Sequence, residues 1–154
     1  MKLIVNVSRN VSGINVLKSI EPVMQRIAGE VADGKQVVGL NLVGRKKITE
    51  LNKLYRGRRG SAEILTFDYG DNDEPFEEDS LRAEIYIYYG KARNTAGRLG
   101  VSEEDYMLRL FVHGICHVLG YTHRTNEEAK EMEEVEKQLL RPYLKNVALS
   151  RMFD

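Results

Sequence analysis

The chain has 154 residues, of which 42% are apolar and 30% are charged, a composition that is ordinary for a soluble globular protein. Its 23 lysines and arginines balance 23 aspartates and glutamates, so the net charge by itself indicates no class of partner.

Cys116 is the single cysteine, which excludes an internal disulfide framework and favours a reducing compartment. The N-terminal stretch MKLIVNVSRN has too short an apolar run for a signal peptide and lacks a small-residue cleavage site. No run approaches the roughly 20 apolar residues that a bilayer span needs. We therefore expect one cytoplasmic domain over residues 1–154, without a membrane partner.

The first half of the chain alternates between the period of strands and the period of helices. Leu3, Val5 and Val7 alternate with polar residues as in a half-buried strand, and the helical stripe that follows should end at Asp33 and Gly34. The pattern predicts strands at 2–8, 36–43 and 63–69, helices at 14–32 and 45–55, and a loop at Gly57 and Gly60.

The second half begins with a fourth predicted strand at 84–89, rich in Ile and Tyr. A helix should start near Ser102 and end at Gly120 in a left-handed turn. The last predicted helix opens with a capping box formed by Thr125 and Glu128. Together these elements predict an α/β (α+β) fold, in which a mixed sheet of about four strands packs with about five helices.

Two local clusters interrupt the even charge balance. An acidic run extends from Asp71 to Asp79, and a basic cluster opposed only by Glu50 consists of Arg45, Lys46, Lys47, Lys53, Arg56, Arg58 and Arg59. A solvated surface explains either cluster. Because the basic cluster adjoins a glycine-rich loop beside a strand, it also suits a groove that binds phosphate groups, with the acidic run facing elsewhere.

All three histidines of the chain lie in the stretch HGICHVLGYTH, from His113 to His123. His113 and His117 are four residues apart on the predicted helix, so their imidazoles share one face. Gly120 allows a sharp exit from the helix, after which His123 can return as a third ligand. Three imidazoles with an open fourth position are typical of catalytic zinc. The pattern predicts one Zn²⁺ per chain, although imidazoles alone do not exclude iron or nickel.

The residue after the first histidine is unusual for a helix of this kind. Zinc proteases with this spacing carry a general-base glutamate there, whereas this chain has Gly114, which we expect to leave room for a larger substrate. Phosphodiester cleavage suits such a site, because a metal can acidify water by itself and an arginine can stabilise the charge at phosphorus. The loop from Arg56 to Arg59 could supply that arginine.

Two stretches resemble the signatures of one family. HGICHVLGYTH is similar to the H-G-x-x-H-x-x-G-y-D-H motif of the YbeY family of bacterial rRNA-maturation endoribonucleases, and LNKLYRGRRGSAEILTF resembles its L-N-x-x-Y-R-x-K-D-x-P-T-D-V-L-S-F motif. The likeness covers nearly the whole chain. It departs at Arg59 to Glu63, where the family has D-x-P-T-D, and at Glu84 and Thr122, where the family has aspartate.

The resemblance implies that His113, His117 and His123 are zinc ligands and that Arg56 is functionally important, so we assign Arg56 and His113 as catalytic. It implies a single-strand-specific endoribonuclease in rRNA maturation, notably at the 3′ end of small-subunit rRNA. The implied partners are single-stranded RNA or rRNA and the ribosome or its small-subunit proteins, with no DNA expected.

Three alternatives stay open at this point. A peptidase-like metallohydrolase is one, although Gly114 and the basic loop argue against it. A ribosome-assembly factor with a structural metal is another, and it would need a fourth protein ligand. Arg56 could also serve only as an ion-pair partner of Glu63 or another carboxylate.

Overall fold

The structure is a computed structural model, which describes residues 1–8, 11–31, 36–70 and 80–153. Its elements in chain order are β1 (Lys2–Val7), α1 (Ile14–Val31), β2 (Val37–Val43), α2 (Arg45–Arg56), β3 (Ile64–Asp68), β4 (Leu81–Tyr88), α3 (Tyr89–Leu99), α4 (Glu103–Val118), α5 (Asn126–Leu140) and α6 (Asn146–Phe153). The four strands form one sheet in the order β1-β2-β4-β3. β1, β2 and β4 are parallel, and β3 is antiparallel to β4, so the predicted mixed sheet is confirmed.

The main hydrophobic core lies between one face of this sheet and the helices α1 and α4. The sheet contributes fully buried side chains such as Leu40, Ile85 and Ile87. Ten of the 16 residues of α4 are buried, and the helix contacts α1, α3, α5 and α6 as well as β3 and β4. Because a helix that is apolar nearly all round must be covered on all sides, α4 is the central element of the fold.

The helix α2 covers part of the opposite face of the sheet. A small cluster of Val43, Ile48, Leu51 and Leu65 holds it there. The helix ends at Gly57, whose φ of 62° is left-handed and closes the last turn through its backbone N–H. The C-terminal turn of α2 is thereby fixed beside the antiparallel strand β3.

The described strands and helices confirm the predicted elements, with two additions. The sequence placed four helices and expected about five in all, whereas the structure has six within the described ranges, with α3 and α6 added to the four that were placed. The helix α3 lacked a strong apolar stripe because its buried positions include the small residues Ala92, Thr95 and Ala96. The predicted helix end at Asp33 and Gly34 and the acidic run lie outside the described residues. Within those ranges, no helix combines the length and apolar character that a bilayer span needs.

Gly114 lies where α4 packs against strand β4 of the sheet. A Cβ atom at this position would stand 2.7 Å from Cδ1 and 3.0 Å from Cγ1 of Ile85, which is fully buried. The space beside Gly114 is therefore filled by the sheet, and our expectation that it admits a larger substrate is wrong. The glycine sets the distance between helix and sheet, so a glutamate side chain has no place there.

Gly114→Ala should therefore destabilise the protein. Overpacking a core costs about 1–3 kcal/mol and the gain in helix propensity is at most roughly 1 kcal/mol, so we expect a net loss of about 1 kcal/mol in the free energy of unfolding. Gly97→Ala in α3 is the matched control, because an added Cβ there would meet nothing within 4 Å. Urea denaturation of both variants measures the difference, and a Gly114→Ala protein as stable as Gly97→Ala would contradict this packing.

Candidate metal centre

The three histidines converge on one point at the end of α4. One potential ligand nitrogen from each of His113, His117 and His123 lies within 4.8 Å of the other two. The Nε2 atoms of His113 and His117 are 3.1 Å apart. The ring of His123 stacks on that of His113 with a centroid distance of 5.6 Å and stands 5.0 Å from that of His117. The predicted return of His123 after the helix is confirmed.

The second nitrogen of each helical histidine has a hydrogen-bond acceptor. Nδ1 of His113 lies 2.8 Å from Oε1 of Glu136, and Nδ1 of His117 lies 3.1 Å from the backbone carbonyl of Tyr121. Since both partners accept, each Nδ1 carries the proton in the neutral ring and each Nε2 keeps its lone pair. Glu136, whose side chain is 3% exposed, fixes the orientation of His113 as carboxylates do behind metal-binding histidines.

The turn at Gly120 connects the helix end to the site. Gly120 has a φ of 100°, which a residue with a side chain rarely adopts. Its N–H donates to the carbonyl of His117, and the N–H of Tyr121 donates to the carbonyl of Cys116, both at 3.0 Å. This left-handed turn, predicted from the sequence, brings the Tyr121 carbonyl back to His117 and directs the chain toward His123.

The segment that carries His123 is anchored to the N-terminus of α5. The Thr122 hydroxyl and the Arg124 N–H both donate to Oε2 of Glu128, and the Glu128 N–H donates to the Thr125 hydroxyl at 3.1 Å. The hydrogen bond from Thr122 is the main reason why the pKa of Glu128 is lowered. Thr122, the residue before His123, thus connects the histidine segment to the Thr125 and Glu128 capping box by donating its hydroxyl to Glu128.

The donor set fits a metal ion. Burial, followed by the neighbouring His113 ring, lowers the pKa of His117, which keeps its imidazole in the neutral form that binds metals. Within the described ranges no further His, Cys, Asp or Glu joins the three histidines. Cys116 packs in the core, and burial raises the pKa of its thiol to about 12. The three histidines are thus positioned to hold a metal with a coordination position left open.

Arg56 lines the same cavity as the three histidines. The cavity has a volume of about 580 Å³, and its wall also includes Tyr55 and the whole of β3, from Ile64 to Asp68. Arg56 is the member of the basic cluster that lines this cavity, whereas the other six residues are exposed on α2 and in the loop after it. That these six residues line a groove leading to the cavity stays a prediction.

Glu63 does not serve as the partner of Arg56. Its carboxylate accepts hydrogen bonds from the hydroxyls of Tyr106 and Thr95. Burial, reinforced by the hydrogen bond to Glu63, raises the pKa of the Tyr106 hydroxyl. Arg56 makes no ion pair with any residue in the described part of the chain, so its guanidinium is available to a ligand in the cavity.

Sequence reasoning missed Glu136, the carboxylate behind His113. Glu136 lies 23 residues after His113, on a different helix. It is buried in the inward-facing row of α5, between Met132 and Leu140 at intervals of four residues. A carboxylate in an apolar row was the signal that could have found it, because an unpaired buried charge is unfavourable.

Known proteins resemble this chain both in sequence and in fold. The family model of endoribonuclease YbeY matches residues 5–144. An endoribonuclease YbeY of Bacillus licheniformis is 35% identical over 135 residues, which is 82% of this chain and 85% of that protein. The endoribonuclease YbeY of a Thermoanaerobacter species is 33% identical over 151 residues, with 90% and 94% covered. A solution structure of a Thermotoga maritima protein has the same fold, with a TM-score of 0.57, 22% identity and 91% of each chain covered.

Glu136→Ala should weaken metal binding. Removing such a supporting carboxylate typically lowers metal affinity about 10–100-fold, because His113 loses the acceptor that orients its ring. Glu134→Ala is the matched control, since Glu134 lies on the same helix with its side chain 60% exposed. Competition with a chromogenic chelator gives both affinities. Equal metal affinity in the two variants would show that Glu136 has only a packing role.

Proposed function

The chain belongs to the YbeY endoribonuclease family, and on this basis we propose that it is a zinc-dependent endoribonuclease acting on single-stranded RNA in rRNA maturation, at the 3′ end of small-subunit rRNA. The observation that carries the proposal is the shared cavity of about 580 Å³, which is lined by three imidazoles and by Arg56. A metal site beside an arginine suits a phosphodiester, because both can neutralise the charge that develops on its oxygens.

The metal-binding role belongs to His113, His117 and His123 through one nitrogen each. Glu136 and the Tyr121 carbonyl hold the first two rings in place through their Nδ1–H groups. A bound zinc ion would supply the positive charge that polarises a phosphoryl oxygen and acidifies water. Support for zinc comes from the all-imidazole donor set and the open position.

The substrate-binding role belongs to Arg56. A guanidinium can pair with two phosphate oxygens in a fixed fork, which a lysine ammonium cannot reproduce. Arg56 is exposed and without an ion-pair partner among the described residues. The remaining members of the basic cluster are exposed outside the cavity, where they would attract the phosphates of a longer RNA segment.

The other two readings of the sequence find less support. The peptidase reading needs a general base after the first histidine, and Gly114 packs against Ile85 at that position. The structural-metal reading needs a fourth protein ligand, and the described residues offer three histidines as a group. We therefore propose that residues 1–154 act as one cytoplasmic metallohydrolase domain, with rRNA and the ribosome or its small-subunit proteins as partners.

The purified protein should contain about one zinc per chain, as measured by elemental analysis, and should cleave an rRNA precursor with an unpaired 3′ segment. The His113→Ala/His117→Ala double variant should lose both properties, because two of three ligands are removed. The same precursor with that segment base-paired, and a DNA of the same sequence, should remain intact. Full zinc content in the double variant would contradict the ligand assignment, and a zinc-loaded wild-type protein that leaves the unpaired RNA intact would contradict the activity.

Arg56→Ala and Arg56→Lys should both retain zinc and the fold while losing about 10²–10³-fold in cleavage rate, the usual cost of removing one group that stabilises charge in a transition state. Arg45→Ala is the matched control at saturating RNA, because Arg45 lies on the same helix but outside the cavity, so its loss can weaken RNA binding without slowing the cleavage step. Single-turnover cleavage rates compare the three variants. If Arg56→Lys cleaves like the wild type, a point charge suffices and the fork geometry has no role.

A further inference from the structure

Tyr55, the residue before Arg56, is a large aromatic side chain that is mostly exposed and contributes little to the core. Its side chain is 67% exposed, and it lies in the wall of the cavity that contains the histidines. The hydroxyl makes no hydrogen bond with any described residue. In contrast, the hydroxyls of four other tyrosines donate to carboxylates, namely those of Tyr69, Tyr86, Tyr89 and Tyr106. An exposed aromatic ring in a binding cavity is a group that ligands commonly use.

The ring of Tyr55 is nevertheless held in place. It makes a T-shaped contact with Phe67 of β3 at a centroid distance of 5.2 Å, and Phe67 makes another with Tyr86 of β4 at 5.7 Å. The three rings form a row from α2 across the sheet. Because a T-shaped contact uses the edge of one ring and one face of the other, at least one face of Tyr55 is left without an aromatic neighbour.

The position of this ring relative to the charged groups suggests a ligand. Arg56 and the histidines offer positive charge and metal ligands for a phosphodiester, while Tyr55 and Phe67 offer an aromatic surface in the same cavity. A nucleotide unit combines these two chemistries, since a flat base is joined to a phosphate. The volume of about 580 Å³ lies within the range of about 300–1,000 Å³ that is usual for such sites.

We propose that Tyr55, supported by Phe67, stacks on a nucleobase of single-stranded RNA next to the phosphate that Arg56 and the metal centre engage. This inference rests on the proposed function and adds a substrate-positioning residue to it. Stacking within a duplex covers the faces of the bases in double-stranded RNA, so this contact favours unpaired segments. Stacking tolerates any base, because every base has a π-face. Tyr55 therefore distinguishes single-stranded from double-stranded RNA and does not distinguish one base from another.

The test measures the binding of short single-stranded RNAs to the zinc-loaded protein by stopped-flow fluorescence. Tyr55→Ala should raise the Kd about tenfold, as loss of one base–aromatic stack does, with zinc content unchanged. Tyr55→Phe should recover most of the affinity and Tyr55→Leu should not, because the ring and not its hydroxyl or apolar area is the binding group. Leu54→Ala is the matched control, since Leu54 is 75% exposed on the same helix and lies outside the cavity wall.

A scan of abasic sites along the RNA identifies the stacked base. At one position near the cleaved bond, loss of the base should weaken wild-type binding about tenfold and should have no further effect in Tyr55→Ala, because both changes remove the same contact. Independent, additive losses at every position would overturn the inference. Equal losses of RNA affinity in Leu54→Ala would overturn it as well, because the effect would then not be specific to the ring in the cavity wall. A wild-type protein that binds in this pattern without cleaving would contradict the proposed function and leave the stacking contact supported.

Discussion

The site depends on two imidazole lone pairs that are forced to face each other. His113 and His117 present Nε2 atoms 3.1 Å apart, and both Nδ1 atoms are committed as donors to Glu136 and to the Tyr121 carbonyl. Two lone pairs at this distance repel each other, whereas a cation between them is attracted by both. The fold therefore prepares a metal site by orienting two rings through their far sides, and His123 completes the set from the turn that follows.

This arrangement requires a helix that is buried on most sides and polar at one end. The helix α4 meets the sheet at Gly114, where its backbone lies against Ile85, and contacts α5 on another side. From α5 it receives Glu136, a buried carboxylate that would be strongly unfavourable without a partner. The close approach of α4 to the sheet at Gly114 and the hydrogen bond from His113 to Glu136 thus act together. Packing fixes the position of the helix, and the hydrogen bonds fix the orientation of its two imidazoles.

The side chains that line the cavity come from two separate parts of the fold. α4 and the turn after it carry the three histidines that are positioned to hold a metal, whereas the end of α2 and strand β3 carry Arg56, Tyr55 and Phe67. Two of the residues at which this chain departs from the family signature have hydrogen-bond partners in the structure. Glu63 accepts hydrogen bonds from Tyr106 and Thr95, and Thr122 joins the capping box of α5 through Glu128. Glu63 and Thr122 are thus both held by hydrogen bonds within the fold.

The sequence by itself determined the features that depend on short-range geometry. Residues four apart on a helix share a face, so the spacing of His113 and His117 predicted a pair of ligands before any tertiary contact was known. A glycine after a helix can take the left-handed conformation, so Gly120 predicted the turn toward His123. Strands and most helices followed from apolar periodicity in the same way.

Tertiary structure alone decided which groups meet across long separations in the chain. Glu136 reaches His113 from 23 residues away, and Gly114 proved to be a contact with the sheet instead of room for a substrate. Glu63 bonds to Tyr106 rather than to Arg56, which leaves the arginine open to the cavity. These outcomes depend on which faces of α4, α5 and the sheet pack together, and local periodicity carries no information about that choice, because many pairings bury the same apolar area.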